Sequence, residues 1–292
     1  MSGTEESPEC DARANLIYSA PGFTVPNPDS IKAKINDSNT IFNWGGVKIA
    51  QIFPEIVVKY GPHVTITEAK NMIFVDRNTE TVPVPKIFAC YTYGPIPRDV
   101  DDYGSLYDTY IIMSFVEGQS LDKAWETYDQ TTKDRVTNQL KGYLHELRAI
   151  NSSGYIGSAD SGPVTDPILE RYHTQGPFDS EESFNATIIS AYHAREPRRH
   201  IKNFLVGMLS ENNHQIVFTH GDLRLTNIMV HDGHVTGIVD WEYSGWYPEY
   251  WEFSRALYVW HWQNDWTDSL MQILQPYYSE YMVHSFLTAT LW

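Results

Sequence analysis

The chain has 292 residues, of which 42% are hydrophobic and 14% aromatic, and this composition excludes a wholly disordered protein. Its 21 basic and 37 acidic residues give a net charge of −16, which disfavours nucleic acid or an anionic membrane as partner, because both are bound through Lys and Arg. The same charge would attract a cationic small molecule, or serve only solubility. No apolar run approaches the ~20 residues of a membrane span, and no signal peptide is recognisable, so we expect a cytoplasmic protein.

The first part of the chain is predicted to be an arm followed by a strand-rich lobe. Residues 1–30 are rich in Ser, Pro, Glu and Asp and predict a flexible N-terminal arm. Residues 31–116 are predicted to form an N-lobe. Within this lobe, the pattern over 64–79 fits a helix of three to four turns. Apolar runs with many β-branched residues predict strands within 41–60, 82–94 and 108–116.

Residues 117–292 are predicted to form a mainly helical C-lobe. Apolar residues recur at helical spacing over 131–150, 181–212 and 249–292. One extended stretch, 216–240, interrupts the helices and contains Asp232-Gly233, a pair typical of a hairpin turn. The outline is an α+β protein with an antiparallel sheet in its N-lobe and one hairpin embedded in its helical C-lobe.

Three oxygen-bearing side chains are predicted to converge at one end of that hairpin. Asp222 follows an apolar strand, Asn227 comes five residues later, and Asp240 ends the return strand. Antiparallel pairing would bring the start of the hairpin close to its end. Phosphoryl transfer needs a carboxylate beside the acceptor hydroxyl, and amide and carboxylate oxygens to hold Mg²⁺ against the phosphates. The spacing therefore favours a phosphotransferase.

The sequences HGDLRLTNIMV and GIVDWE resemble the aminoglycoside phosphotransferase and choline-kinase type of small-molecule kinase, and the continuation through Glu252 is especially similar to fungal members. The resemblance implies a protein-kinase-like bilobal fold that uses ATP and Mg²⁺. It implies that Asp222 is the catalytic carboxylate, that Asn227 and Asp240 are metal ligands, and that His220 supports the loop. Protein kinases carry His-Arg-Asp and Asp-Phe-Gly at the comparable positions, so the small-molecule branch is favoured.

Two N-lobe features are similar to the nucleotide site of the same family. Lys59, on a predicted strand, resembles the lysine that holds the α- and β-phosphates, and Glu68 in the next helix is placed to pair with it. The run TYIIMSFVEGQSL resembles the strand and hinge that meet adenine. By this resemblance Met113 or Ile112 would line the pocket, and Ser114 and Val116 would offer backbone groups.

The loop over the phosphates departs from the family pattern, because no Gly-x-Gly-x-x-Gly is present. Either Asn43-Trp44-Gly45-Gly46 or Asp37-Ser38-Asn39 stands in its place. Arg224, two residues after Asp222, either neutralises charge that develops on the transferred phosphoryl group or is a solvated loop residue. Both alternatives stay open at the level of sequence.

The acceptor is expected to bind the C-lobe. Acidic and aromatic residues that follow Asp240 could receive an ammonium group, or could pack the lobe and cap helices: Glu242, Trp246, Tyr247, Glu249, Trp251 and Glu252. The predicted function is transfer of the γ-phosphoryl group of ATP to a hydroxyl of a small molecule, such as a cationic amine or an amino sugar. The alternatives are a protein Ser/Thr kinase and a kinase-like binding protein without catalysis.

Overall fold

The computed structural model describes residues 12–197, 201–209, 214–257 and 264–291. The chain divides into two compact units, and each unit is built from two stretches of sequence. The first unit comprises Met1–Ala69 and Lys86–Phe115, and the second comprises Lys70–Pro85 and Val116–Trp292. Among the residues that the structure describes, no helix combines the length and the apolar character that crossing a bilayer requires.

The first unit contains a six-stranded antiparallel sheet in the order β1-β5-β6-β4-β3-β2. Its strands are β1 (Arg13–Ser19), β2 (Thr40–Trp44), β3 (Val47–Phe53), β4 (Ile56–Gly61), β5 (Ile87–Gly94) and β6 (Asp108–Ser114). Its helices are α1 (Pro28–Lys32), α2 (Ile66–Asn78), which continues into the second unit, and α3 (Val100–Tyr103). The central strands β4, β5 and β6 are almost wholly buried, which agrees with their continuous apolar sequences.

The prediction of a flexible arm over 1–30 is wrong from residue 13 onward. Arg13–Ser19 pairs with β5 as an edge strand of the sheet, with Arg13 opposite Gly94 and Ser19 opposite Ala89. Backbone pairing to β5 outweighs the polar composition, and exposure of most of β1 explains why that composition is tolerated. Residues 1–11 of the predicted arm lie outside the described residues.

Helix α2 confirms the helix predicted between the strands. Ala69, Met72 and Val75 recur at three-residue intervals and are buried, so one face of the helix is covered. At its start, the Thr65 hydroxyl accepts a hydrogen bond from the backbone N–H of Glu68 at 3.3 Å, which satisfies a donor that the helix leaves unpaired.

The second unit is mainly helical, as predicted. Its helices are α4 (Leu121–Ala124), α5 (Gln130–Arg148), α6 (Pro167–Arg171), α7 (Glu181–Arg195), α8 (Lys202–Met208), α9 (Trp251–Ala256), α10 (Trp266–Ile273) and α11 (Tyr278–Leu291). Its strands are β7 (Gln119–Ser120), β8 (Ile216–Thr219), β9 (Ile228–His231), β10 (His234–Ile238) and β11 (Gly245–Pro248). They form a three-stranded sheet, β10-β9-β7, and a two-stranded sheet, β11-β8.

The hairpin β9–β10 forms where the sequence predicts it. Its two turn residues, Asp232 and Gly233, have φ angles of 49° and 70°, which suit the tight turn that matches the twist of paired strands. Ile228 pairs with Ile238, so the residues just before β9 and just after β10 lie at the same end of the hairpin. That end carries the candidate active site of this unit.

Candidate active site

The loop that follows β8 holds Asp222. Gly221 precedes it with a φ of 81°, and a Cβ atom at that position would lie 2.5 Å from the backbone oxygen of Tyr243. Only glycine fits this turn without displacing the neighbouring chain. Asp222 itself is 7% exposed, so its carboxylate is held in a largely buried loop.

His220 is fully buried and holds this loop from within. Its Nδ1 accepts a hydrogen bond from the backbone N–H of Asp222 at 3.2 Å. The other ring nitrogen, Nε2, therefore carries the proton and donates to the backbone oxygen of Val239 at 3.1 Å. The ring also meets Trp241 edge-on, with centroids 4.6 Å apart. His220 thus ties the loop of Asp222 to the end of β10, which is the structural role that the resemblance implies.

Glu252 supports the loop by accepting hydrogen bonds from its backbone. Its Oε2 accepts from the backbone N–H of His220 at 2.7 Å, and its Oε1 accepts from that of Gly221 at 3.1 Å. Glu252 is 1% exposed, and its two oxygens satisfy two backbone donors that would otherwise be buried without partners. The sequence offered Glu252 either as a receptor for a cationic acceptor or as a structural residue, and the structure places it in the structural role.

Two side chains contact the carboxylate of Asp222 through its Oδ2. The amide nitrogen of Asn227 donates to this oxygen at 2.8 Å and to the backbone oxygen of Asp222 at 2.9 Å. Arg224 forms an ion pair with the same oxygen, and its side chain is half exposed. Partial burial opposes the charge of Arg224, but Asp222 and, more weakly, Asp240 and Tyr243 outweigh it and raise the pKa of the guanidinium. Arg224 thus remains a cation beside Asp222.

The opposite side of the hairpin end carries Asp240. The backbone N–H of Val239 donates to the backbone oxygen of Asn227 at 2.9 Å, so Asp240 directly follows a residue bonded to Asn227. Asp240 has a φ of 67°, in the left-handed region that side-chain-bearing residues rarely adopt. Carboxylate oxygens of Asp240 and Glu242 lie within 4.8 Å of each other.

This donor set fits a hard divalent cation. The nitrogen of the Asn227 amide is engaged with Asp222, which leaves the amide oxygen as a possible ligand beside the carboxylate of Asp240. Glu242 adds a second carboxylate, although its sequence context suggests only contact with the acceptor. Burial, followed by the charges of Glu242, Asp222 and Asp240, raises the pKa of Tyr243, whose ring lies among these groups.

In the first unit, Lys59 and Glu68 form a buried ion pair. Nζ of Lys59 lies 2.8 Å from each carboxylate oxygen of Glu68. Lys59 is on β4 and is 6% exposed, and Glu68 is in the first turn of α2 and is 1% exposed. A buried pair of this kind fixes the direction of both side chains, because neither charge can be left without its partner.

The two candidates for the loop over the phosphates, residues 43–46 and 37–39, differ in their position relative to Lys59. Gly45 and Gly46 form the β2–β3 turn with φ angles of 61° and 76°. Register places it near Lys59, because Ile49 pairs with Lys59 and Lys48 with Tyr60. Residues 37–39 lie at the other end of these strands, where the backbone oxygen of Asn39 accepts from Gln51. The geometry therefore favours the glycine turn.

The three hinge candidates fall at the boundary between the units. Met113 and Ser114 end β6 in the first unit, and the Ser114 hydroxyl accepts from the backbone N–H of Lys86 at 2.9 Å. In the second unit, Val116 packs against Gly237, where a Cβ atom would lie 2.5 Å from the Val116 side chain. A larger residue at position 237 would collide with the Val116 side chain, which fills the space that a Cβ atom would need.

Most of the acceptor candidates make packing or capping contacts in the second unit. Trp246 contacts the rings of Phe74 and Phe218, and Tyr247 stacks on Trp251 with centroids 5.2 Å apart. Glu249 accepts from the backbone N–H of Gln215 at 3.3 Å. Together with the placement of Glu252, these contacts match the packing and capping alternative. Glu242 is the one of the six that lies beside Asp240.

Comparisons with known proteins agree with this geometry. The sequence model described as "Phosphotransferase enzyme family" matches residues 66–286. No curated protein sequence matches the chain. A solved structure of aminoglycoside phosphotransferase APH(4)-Ia has a TM-score of 0.56 at 14% identity, with 85% of this chain and 83% of that one covered. ADP-bound APH(2'')-Ib has a TM-score of 0.54 at 12% identity, with 85% and 80% covered.

At these identities the structural likeness bears on the fold alone, and the fold is the protein-kinase-like one that the motifs predict. The family match spans α2, the loop of Asp222 and the hairpin that ends at Asp240, and it covers most of the chain. This protein belongs to the phosphotransferase enzyme family.

Proposed function

We propose that this protein transfers the γ-phosphoryl group of ATP to a hydroxyl of a small molecule, with Asp222 as the catalytic carboxylate. The observation that carries the proposal is the contact of Asn227 and Arg224 with Asp222 at the hairpin end that also bears Asp240. The family match supports it, and structural neighbours include complexes with ADP and hygromycin B and with ATP and streptomycin.

Each residue has a defined task in this proposal. Lys59, fixed by Glu68, contacts the α- and β-phosphates, and the turn at Gly45 and Gly46 covers the phosphate groups. Asn227, Asp240 and Glu242 would hold Mg²⁺, which when bound neutralises phosphate charge. Ser114 and Val116 offer backbone groups to adenine, and Met113 lines its pocket.

Asp222 accepts or orients the proton of the acceptor hydroxyl, so that the oxygen can attack the γ-phosphorus as the bond to the ADP oxygen breaks. Arg224 shares Oδ2 of Asp222 and stabilises negative charge on the transferred group. His220 and Glu252 act only through the loop and are positioning residues.

The acceptor class follows from charge. Burial is the largest cause of the raised pKa of Tyr243, and the charges of Glu242, Asp222 and Asp240 raise it further, so three carboxylates lie near this ring; the chain as a whole carries a net charge of −16. Both features favour a hydroxylated amine or amino sugar over an anionic acceptor.

The test is a screen of purified protein with ATP, Mg²⁺ and hydroxylated amines, amino sugars and neutral sugars, with ADP release and phosphorylated product measured. We expect turnover with a cationic member. Asp222→Asn should then lower kcat by about 10²- to 10⁴-fold, the usual contribution of a positioned general base, with little change in ADP affinity. The matched control is Asp232→Asn in the exposed turn, which should keep wild-type kcat.

Wild-type turnover in Asp222→Asn would overturn the role of Asp222. Absence of ATP binding by calorimetry in the wild-type protein would instead favour a kinase-like protein without catalysis.

A further inference from the structure

The turn that follows Asp240 is held by a side chain from α2. Asn71 is completely buried, and its amide nitrogen donates to the backbone oxygens of Trp241 at 2.8 Å and Ser244 at 3.0 Å. Asn71, Trp241 and Ser244, which form this clamp, all belong to the second unit. The two accepting oxygens lie at either end of a single helical turn, Trp241–Tyr243, so one amide group closes the whole turn.

Asp240 needs such support because its backbone is strained. Its φ of 67° and ψ of 60° lie in the left-handed region, where a Cβ atom crowds the following carbonyl. A residue stays in this conformation only when the surrounding structure fixes it from both sides. On the N-terminal side, the backbone of Val239 is bonded to Asn227 and to His220.

On the C-terminal side, the clamp of Asn71 is joined by two further bonds. The indole N–H of Trp241 donates to the backbone oxygen of Ile238 at 2.7 Å, and the hydroxyl of Ser244 donates to that of His220 at 2.9 Å. These two bonds join residues of the loop and hairpin themselves, whereas the bonds from Asn71 come from a different element, helix α2. This helix is anchored nearby through Phe74, whose ring lies 4.8 Å from that of Phe218 and 5.9 Å from that of Trp246.

We propose that Asn71 is a positioning residue that sets the orientation of the Asp240 carboxylate toward the metal. Within the second unit, the donor that closes the turn after Asp240 therefore comes from α2, which is distant in sequence. The inference rests on the proposed function, because it assigns the metal to Asp240.

The main experiment compares Asn71→Leu with Asn78→Leu. Leucine has the same branching and the same number of non-hydrogen side-chain atoms as asparagine but has no donor, so the first variant removes both hydrogen bonds. Asn78, on the same helix, also donates to a backbone oxygen, that of Phe74 at 2.7 Å, and does not touch the turn. Three quantities are measured: Mn²⁺ affinity of the protein–ADP complex and ADP affinity without metal, both by calorimetry, and hydrogen exchange of the amides of residues 241–245.

We expect Asn71→Leu to weaken Mn²⁺ binding by about tenfold or more, the usual effect of removing a group that orients a metal ligand. Exchange at 241–245 should accelerate, and ADP affinity without metal should stay unchanged. Asn78→Leu should match the wild type in all three. Because these readouts need no turnover, they separate positioning from loss of catalysis.

A folded Asn71→Leu protein with wild-type Mn²⁺ affinity would overturn the inference. If that variant does not fold, Asn71→Ser takes its place. The serine hydroxyl keeps one donor, but the side chain is too short to close the turn. Wild-type Mn²⁺ affinity in Asn71→Ser would then overturn the inference. A wild-type protein that binds ADP but no Mn²⁺ would overturn the metal assignment itself, and the inference with it.

Discussion

Glu252 illustrates how much of the loop that carries Asp222 depends on one buried side chain. Its two carboxylate oxygens accept from the consecutive backbone N–H groups of His220 and Gly221, and these residues precede Asp222 directly. A carboxylate can accept on both oxygens, whereas an amide can accept on only one. The orientation of the loop therefore depends on the charge state and on the shape of this side chain.

We expect Glu252→Gln to leave one buried N–H without an acceptor, which costs about 1–3 kcal/mol in the free energy of unfolding. The kcat should fall because Asp222 is displaced, while ADP affinity is kept. Denaturant unfolding and initial rates measure the two effects. Glu249→Gln is the matched control, since Glu249 also accepts from a backbone N–H but does not touch the loop that carries Asp222. Equal kcat in the two variants would contradict the prediction.

At this scale the sequence predicted the positions of the candidate active-site residues better than the side chains that support them. The spacing of Asp222, Asn227 and Asp240 was enough to place them together, because a hairpin is a local structure. The bonds from Glu252 and Asn71 connect residues 31 to 173 positions apart, and no local pattern specifies such pairs. The sequence signal for the role of Glu252 is its position directly after the aromatic residues Tyr250 and Trp251.

Among the elements, the β2–β3 hairpin has a contact that can be tested directly. Gly61 ends β4 with a φ of 145°, and a Cβ atom there would lie 2.0 Å from the backbone oxygen of Gly46. The glycine turn therefore sits against the end of the strand that bears Lys59. A side chain at position 61 must displace this turn.

We expect Gly61→Ala to raise the KM for ATP several-fold and to lower stability by about 1–3 kcal/mol, the cost of a strained backbone position. Gly22→Ala separates the two contributions, because Gly22 also has a positive φ, of 76°, but no atom lies within 4 Å of its Cβ position. It should lose stability with no change in KM. Initial rates and thermal unfolding measure both variants, and an equal KM would exclude contact of the turn with phosphates.

The elements with strong periodicity were predicted correctly, and the exceptions have a common cause. Strands β3 to β6, helix α2 and helix α5 agree with the patterns in the sequence. Strands β1 and β11 were missed, because β1 is mostly exposed and β11 contains Gly245 and Pro248, which have low strand propensity. Each forms by pairing with a partner strand that is distant in sequence.

For the molecule as a whole, His284 on α11 is a source of acid sensitivity. Its ring is buried and stacks against Tyr250 with centroids 5.3 Å apart. Burial, with a smaller contribution from Arg255, lowers the pKa of His284 to about 3, so the native imidazole is neutral at ordinary pH. In the unfolded chain the imidazole binds a proton near its usual pKa of about 6.5.

Below pH of about 6.5 the unfolded state therefore holds one more proton, and the free energy of unfolding falls as pH decreases toward 3. The loss attributable to His284 is about 2 kcal/mol at pH 5 relative to pH 8. We expect His284→Phe, which keeps an aromatic ring, to remove this part of the pH dependence. Urea unfolding at pH 5, 6, 7 and 8 measures it, and identical slopes for both proteins would contradict the prediction. Between pH 8 and 9 no difference is expected.

The division of the whole chain was the least predictable feature. The sequence predicted one boundary between the lobes, after residue 116, whereas the chain passes between the compact units three times, after Ala69, Pro85 and Phe115. Composition gave no sign that residues 70–85 belong with the second unit, because this assignment comes from contacts formed across the sequence. Glu146 on α5, for example, accepts from the backbone N–H and the hydroxyl of Thr81.

The interleaved course of the chain limits how this protein can be cut. A fragment that starts at residue 117 would lack Asn71, Phe74 and Thr81, and so would expose the rings of Phe218 and Trp246 to water. The complementary fragment would keep residues 70–85 without the residues of the second unit that pack against them. During synthesis, residues 70–85 leave the ribosome before the rest of their unit and must wait for it, while the 30 residues of 86–115, which carry β5 and β6, are made in between.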